Sequence, residues 1–116
     1  MASAASTKSG VSLHPMKKIE IIVPGESEAK VSDILKLAGV SGYTIIRNAS
    51  GMGHHGFHEG KLLYNDQASL EMFIAVAPEN VISNIAVGLK AILEKNSGVM
   101  FVSDVSVARF DYFIKS

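Results

Sequence analysis

LEMFIAVA, residues 70–77, runs directly into Pro78 and then into ENVISNIAVGLKAIL, residues 79–93, and the fold is decided on this stretch. The first part is a short apolar run cut off by proline, which predicts a buried β-strand rather than a helix. In the second part Ile82, Ile85, Ala86, Leu89, Ile92 and Leu93 recur at helical spacing. Lys90 and Lys95 stand near the negative end of that helix's dipole and Asn96-Ser97-Gly98 provides its exit. A strand followed at once by an amphipathic helix is half of a split βαβ unit, and the other half lies upstream.

Residues 17–23, KKIEIIV, are rich in β-branched side chains and end at Pro24-Gly25, predicting a first strand. Over residues 26–38, Val31, Ile34, Leu35 and Ala38 share one helical face, and Gly39 is placed to end the helix. GYTIIRN, residues 42–48, predicts a second strand and VMFVSDVSVARF, residues 99–110, a fourth. The order β-α-β-β-α-β predicts an α+β, ferredoxin-like sandwich: a four-stranded antiparallel sheet with both helices on one face. In the third strand Leu70, Met72, Ile74 and Val76 point one way while Phe73, Ala75 and Ala77 point the other. Both faces are thus apolar, yet two helices can cover only one. The second face calls for another subunit or sheet, and we expect an oligomer.

A chain of 116 residues suits one domain, here residues 16–116. The polar residues 1–15 contain no apolar segment of the signal-peptide kind and are expected to form a disordered tail. Eleven basic and eleven acidic residues cancel, which removes the electrostatic footprint of a nucleic-acid binder. The sequence has no cysteine, so disulfides, thiolate metal sites and cysteine nucleophiles are excluded and a cytoplasmic location is expected. No apolar run is long enough to span a membrane.

The link between the second and third strands, residues 49–68, is far longer than a hairpin needs. Its ASGMGHHGFHEGKLLYND holds four glycines and three histidines, so the site is expected there. Gly51-Met52-Gly53-His54-His55-Gly56 formally matches G-x-G-x-x-G, but a strand and not a helix follows, so a Rossmann site is excluded by context. What remains is glycine's backbone freedom, which lets amides converge on an anion such as phosphate, or merely gives a flexible loop. His54, His55 and His58 are candidate ligands for zinc, copper or nickel, or donors to an anion, or solvent-exposed residues without a ligand. Gly60-Lys61 is followed by Leu62, so a P-loop is excluded. Arg47 and Arg109, the only arginines, are suited to forked binding of phosphate or carboxylate, or to ion pairs with a residue such as Asp104, Asp111 or Glu71. No catalytic triad or carboxylate pair stands out, and an enzyme is not expected.

With its elements in this order, the chain resembles the PII and PII-like signalling superfamily over residues 16 to about 112. Met16-Lys17-Lys18-Ile19-Glu20 with Ile22 is similar to that superfamily's opening strand, Gly42-Tyr43-Thr44 to the beginning of its second strand, and Gly51 to Gly56 to the GFGRQKG base of its T-loop. Pro78-Glu79-Asn80-Val81 resembles the start of its second helix and residues 99–105 its fourth strand. The resemblance implies a homotrimer that binds adenine nucleotides between subunits and contacts a target protein through the T-loop. It would place Ile22, Thr44, Gly51, Gly53, His54, His55, Val76 and Arg109 around the nucleotide.

His54 and His55 replace the Arg and Gln of the T-loop base, which argues against oxoglutarate sensing. Tyr64 lies too near the third strand to serve as a uridylylation site, and the GDGK phosphate loop has become Lys95-Asn96-Ser97-Gly98. Within the superfamily the pattern most resembles the carboxysome-associated PII-like group. This implies ADP or AMP, with ATP an option, as nucleotide, and bicarbonate as a second ligand near Gly53, His55 and Gly56. The implied target is a bicarbonate transporter or a carboxysome-related protein. Two other readings stay open: a metal-binding PII-like or CutA-like trimer using His54, His55 and His58, and a ferredoxin-like enzyme using a loop histidine as acid or base.

Overall fold

The computed structural model describes residues 6–8, 11–51, 69–95 and 98–109. Its elements are β1 (Ser6–Lys8), β2 (Val11–Pro24), a 3-10 turn (Gly25–Ser27), α1 (Glu28–Ala38), β3 (Thr44–Ala49), β4 (Leu70–Ala77), α2 (Glu79–Lys95) and β5 (Val99–Val107). β2 is the spine. It pairs antiparallel with β4 on one side, Ile21 opposite Phe73, and with β5 on the other, Ile21 opposite Met100. β3 adds to the far side of β4, giving the order β5-β2-β4-β3 that the βαββαβ pattern predicts.

The expected boundaries shift by up to three residues at the second and fourth predicted strands and the first helix, and by more at the N-terminus. The tail expected over residues 1–15 is already strand from Val11 onward, and β1 folds back on it with Thr7 opposite Ser12. Val11 and Leu13 do alternate with Ser12 and His14, but Pro15 masks the signal, because proline removes a ladder donor. At Pro15 the strand is paired with Ser106 of β5, and β4 joins it only at Lys17, so the proline falls where the ladder is incomplete.

The core lies between the sheet and the two helices. Ile19, Ile21 and Val23 of β2 and Phe73, Ala75 and Ala77 of β4 point into it and are buried. Val31 and Leu35 of α1 meet them from above, as do Ile82, Ile85, Leu89 and Ile92 of α2. Every one of these helical positions belongs to the stripes read from the sequence. α1 ends at Gly39, whose φ of 96° is the left-handed conformation that favours glycine, with its amide donating to the carbonyl of Lys36. The chain then brings Tyr43 onto Phe73, ring centroids 5.7 Å apart, and the Tyr43 hydroxyl bonds to that of Ser32.

Among the described residues Phe73 is the largest fully buried side chain, and it pairs with both neighbouring strands and packs on the Tyr43 ring. Phe73→Ala is expected to lower the unfolding free energy by about 3–5 kcal/mol. Val87→Ala, on the outer face of α2, is expected to change it by less than about 0.5 kcal/mol. Urea titrations of the two variants check the contrast.

Candidate functional site

Side chains on a strand alternate between faces, so burying the odd-numbered residues of β2 and β4 sends their even-numbered neighbours to the opposite, open face. That face carries neither helix. Its pairing forms rows: Val99, Ile22, Met72 and Ile46; then Phe101, Glu20, Ile74 and Thr44; then Ser103, Lys18 and Val76. Ile22, Met72, Ile74 and Val76 are half-buried, while Ile46, Val99 and Phe101 are exposed, Phe101 by 53%. The chain by itself therefore leaves an apolar sheet face half open to water, the face for which a cover was expected.

Three of the predicted site residues, Ile22, Thr44 and Val76, come together on this face in neighbouring rows. Their chemistry is an apolar platform beside one hydroxyl, which suits a flat heteroaromatic ring. Gly51 lies just beyond the end of β3, with open space around it. Arg109 is not brought to them. Val107, two residues before it, lies opposite His14, eight residues along β2 from Ile22, or about 26 Å at the usual rise per strand residue. Within one chain Ile22 stands at one end of the β2–β5 ladder and Arg109 follows the other end. Gly53, His54, His55, Gly56 and His58 lie outside the described residues, as does Asp111. Among the described residues no group of three or more histidine or carboxylate side chains could hold a metal ion.

The start of the long connection is held by a compact polar cluster. Where β3 ends, Asn48 takes a positive φ of 62° and the register with β4 shifts between Ile46 and Ala49. Where the chain returns, Ser69 donates its hydroxyl to the Asn48 side chain at 3.3 Å and accepts the Gly25 amide on its carbonyl at 2.9 Å. Arg47 forks onto Glu28 at the head of α1, Nε donating to Oε1 at 3.0 Å and Nη2 to Oε2 at 2.7 Å. The arginine is therefore held by a carboxylate, as one of its two sequence readings allowed, though the principal partner is Glu28 and not those named.

Glu71 completes the cluster. Its side chain is only 10% exposed, its Oε2 sits 3.7 Å from Arg47 Nε, and its Oε1 is buried without a hydrogen-bond partner. Gly25 packs against it so closely that a Cβ there would stand 3.3 Å from Oε2. Burial, followed by a hydrogen bond to Glu28 and that residue's charge, raises the Glu71 carboxyl above its ordinary range. Hydrogen bonds from Arg47 and then from Glu71 hold Glu28 below that range. Burial and a neighbouring carboxylate thus favour the protonated form of Glu71, while the guanidinium favours the ionised form of Glu28.

Sequence reasoning did not single out Glu71 as a functional residue, only as one possible partner for an arginine. The signal was available: it has the same parity as Phe73, Ala75 and Ala77, the buried face of the third strand, and a carboxyl on that face needs a proton or a partner. Nothing comparable announced Glu28 or Asn48, whose roles depend on which segments the fold brings together.

The family model for nitrogen regulatory protein P-II matches residues 16–112. Among curated proteins the chain finds no match. Among solved structures it is similar to CPII from Thiomonas intermedia K12 bound to ADP and bicarbonate, with 42% identity, a TM-score of 0.76, and coverage of 89% of this chain and 98% of that one. A second structure of CPII, described as a nitrogen regulatory PII-like protein and bound to ADP, AMP and bicarbonate, matches at 42% identity with a TM-score of 0.79 over 90% and 99% of the two chains. The complex of B. subtilis GlnK with ATP is 16% identical, with a TM-score of 0.56 over 78% of this chain and 82% of its own, and so shares the fold. A helix-covered sheet in the β5-β2-β4-β3 order, a long connection leaving β3 and a family match across nearly all of it lead to one conclusion: this chain belongs to the P-II family of nitrogen regulatory proteins and their PII-like relatives.

Proposed function

We propose that this protein is a regulatory homotrimer that binds ADP or AMP between neighbouring subunits and takes bicarbonate as a second ligand. The observation that carries the reading is 42% identity over almost the whole chain to CPII bound to ADP and bicarbonate. Two features of the fold support the intersubunit location. The open face carrying Ile22, Thr44 and Val76 is half exposed in the single chain, and subunits that close it bury apolar surface. Arg109 lies beyond the end of β5 that is farther from Ile22, and in this reading a neighbouring copy supplies the arginine. In this reading the nucleotide lies along the face that carries Ile22, Thr44 and Val76. Gly51, Gly53, His54 and His55 approach the phosphates, with Gly53, His55 and Gly56 next to bicarbonate. Occupancy is signalled, without turnover, through the connection after β3 to a cytoplasmic target concerned with inorganic carbon, a bicarbonate transporter or a carboxysome-related protein.

Light scattering is expected to give three copies of the 12.4 kDa chain. Calorimetry of that assembly is expected to show ADP or AMP binding that tightens when bicarbonate is added. Thr44→Val keeps the shape and removes one hydroxyl, and is expected to weaken the nucleotide about fivefold, the equivalent of one hydrogen bond of about 1 kcal/mol. No nucleotide binding with or without bicarbonate defeats the reading.

A further inference from the structure

The loop-base cluster contains one guanidinium and two carboxyl groups, and its geometry is not symmetric. Arg47 gives both prongs of its fork to Glu28, at 2.7 and 3.0 Å, and stands beyond hydrogen-bond distance from Glu71 at 3.7 Å. Glu28 is part-exposed and Arg47 more so, whereas Glu71 lies in the interior with one oxygen unpaired. Among the described residues no donor reaches Glu71 Oε1 to replace water around a negative charge. In its described surroundings, β2 places apolar Val23 opposite Glu71, and the 3-10 turn presents Gly25, whose amide is already given to Ser69. Among the described residues, the charged groups that act on Glu71 are Glu28 from α1 and Arg47 from β3.

We propose that Glu28, Arg47 and Glu71 form a proton-operated latch at the point where β3 gives way to the long connection. In the latched state Glu71 is a neutral acid in its pocket, and Arg47 belongs to Glu28. Loss of the Glu71 proton places two like charges beside one cation. Arg47 is then drawn from Glu28 toward Glu71, or Glu71 is pushed out of its pocket toward water. Either movement acts on the residues between Ile46 and Ala49, where the ladder with β4 is already irregular and Asn48 holds a left-handed conformation. The proton thus sets the exit angle of the chain from β3. The latch stands on this geometry alone and does not require that a nucleotide bind.

The sign of its pH dependence follows from the two carboxyls. Glu71 is raised from its ordinary 4.5, so the stability it contributes is whole below 4.5 and is lost as pH rises through its folded value. Glu28 is lowered from 4.5, so its contribution is whole above 4.5 and is lost as pH falls through its folded value.

Carboxyl-carbon and amide NMR titrations of the full-length assembly test the latch. Glu71 is expected to titrate above free glutamate and Glu28 below it, and the amides of Asn48, Ala49, Ser50 and Gly51 are expected to shift with the Glu71 midpoint. Glu71→Gln preserves the shape of the neutral acid, so that amide step is expected to vanish. The variant should also gain stability relative to wild type as pH rises above 4.5. Arg47→Gln is expected to raise the Glu71 midpoint further, since a cation that favours its ionised form is gone. A Glu71 midpoint at or below that of free glutamate, or an amide step that persists in Glu71→Gln, overturns the proposal. Both readouts are independent of nucleotide affinity, so a failure of ligand binding and a failure of the latch remain separate results.

Discussion

The structure depends on β2 being paired along both edges while one of its faces is roofed by helices. Ile19, Ile21 and Val23 are fully buried because β4 flanks all three, β5 flanks the first two, and α1 and α2 lie over them. Each such residue contributes roughly 1.5–3 kcal/mol through loss of apolar surface, more than any surface ion pair of this chain can. The Lys17–Asp104 pair at 2.5 Å, with Asp104 84% exposed, illustrates the weaker class. Once the odd residues of β2 and β4 are committed to the core, the even residues have no roof of their own. The same constraint that closes one side of the sheet therefore leaves the other side apolar and open.

Much of this was legible in the sequence, and the reason is periodicity. Ile82, Ile85, Leu89 and Ile92 declare their helix face, and Phe73, Ala75 and Ala77 their strand face, without any knowledge of partners. Gly39 could be placed as a helix stop because its left-handed conformation favours glycine. The N-terminal part of β2 was not legible, since Pro15 is normally a reason to end a strand and only the one-sided pairing there makes it acceptable.

The site was readable to a lesser extent. Ile22, Thr44 and Val76 came from resemblance, and the fold assembles them on one face through registers that no local pattern encodes. Arg47 could be recognised as a fork looking for a carboxylate, but the choice of Glu28 depends on a 3-10 turn that swings the head of α1 beside the end of β3. Glu71 lay hidden in an apolar run, where a single acidic residue reads as tolerated noise. Its parity with Phe73, Ala75 and Ala77 marks it for burial, and Gly25 and Ser69 are what close the pocket around it.

Double-sided pairing of β2 also governs how such a chain can change over evolutionary time. Each residue from Lys17 to Ile22 has one partner on β4 and another on β5, so its face is fixed twice. Substitutions there are graded events, felt in proportion to the volume altered. A single-residue insertion or deletion is different, because it would turn Ile19 and Ile21 outward and Lys18 and Glu20 inward at a stroke. The spine can drift in composition but not in length, and descendants that acquire new partners are expected to carry their length differences between β3 and β4.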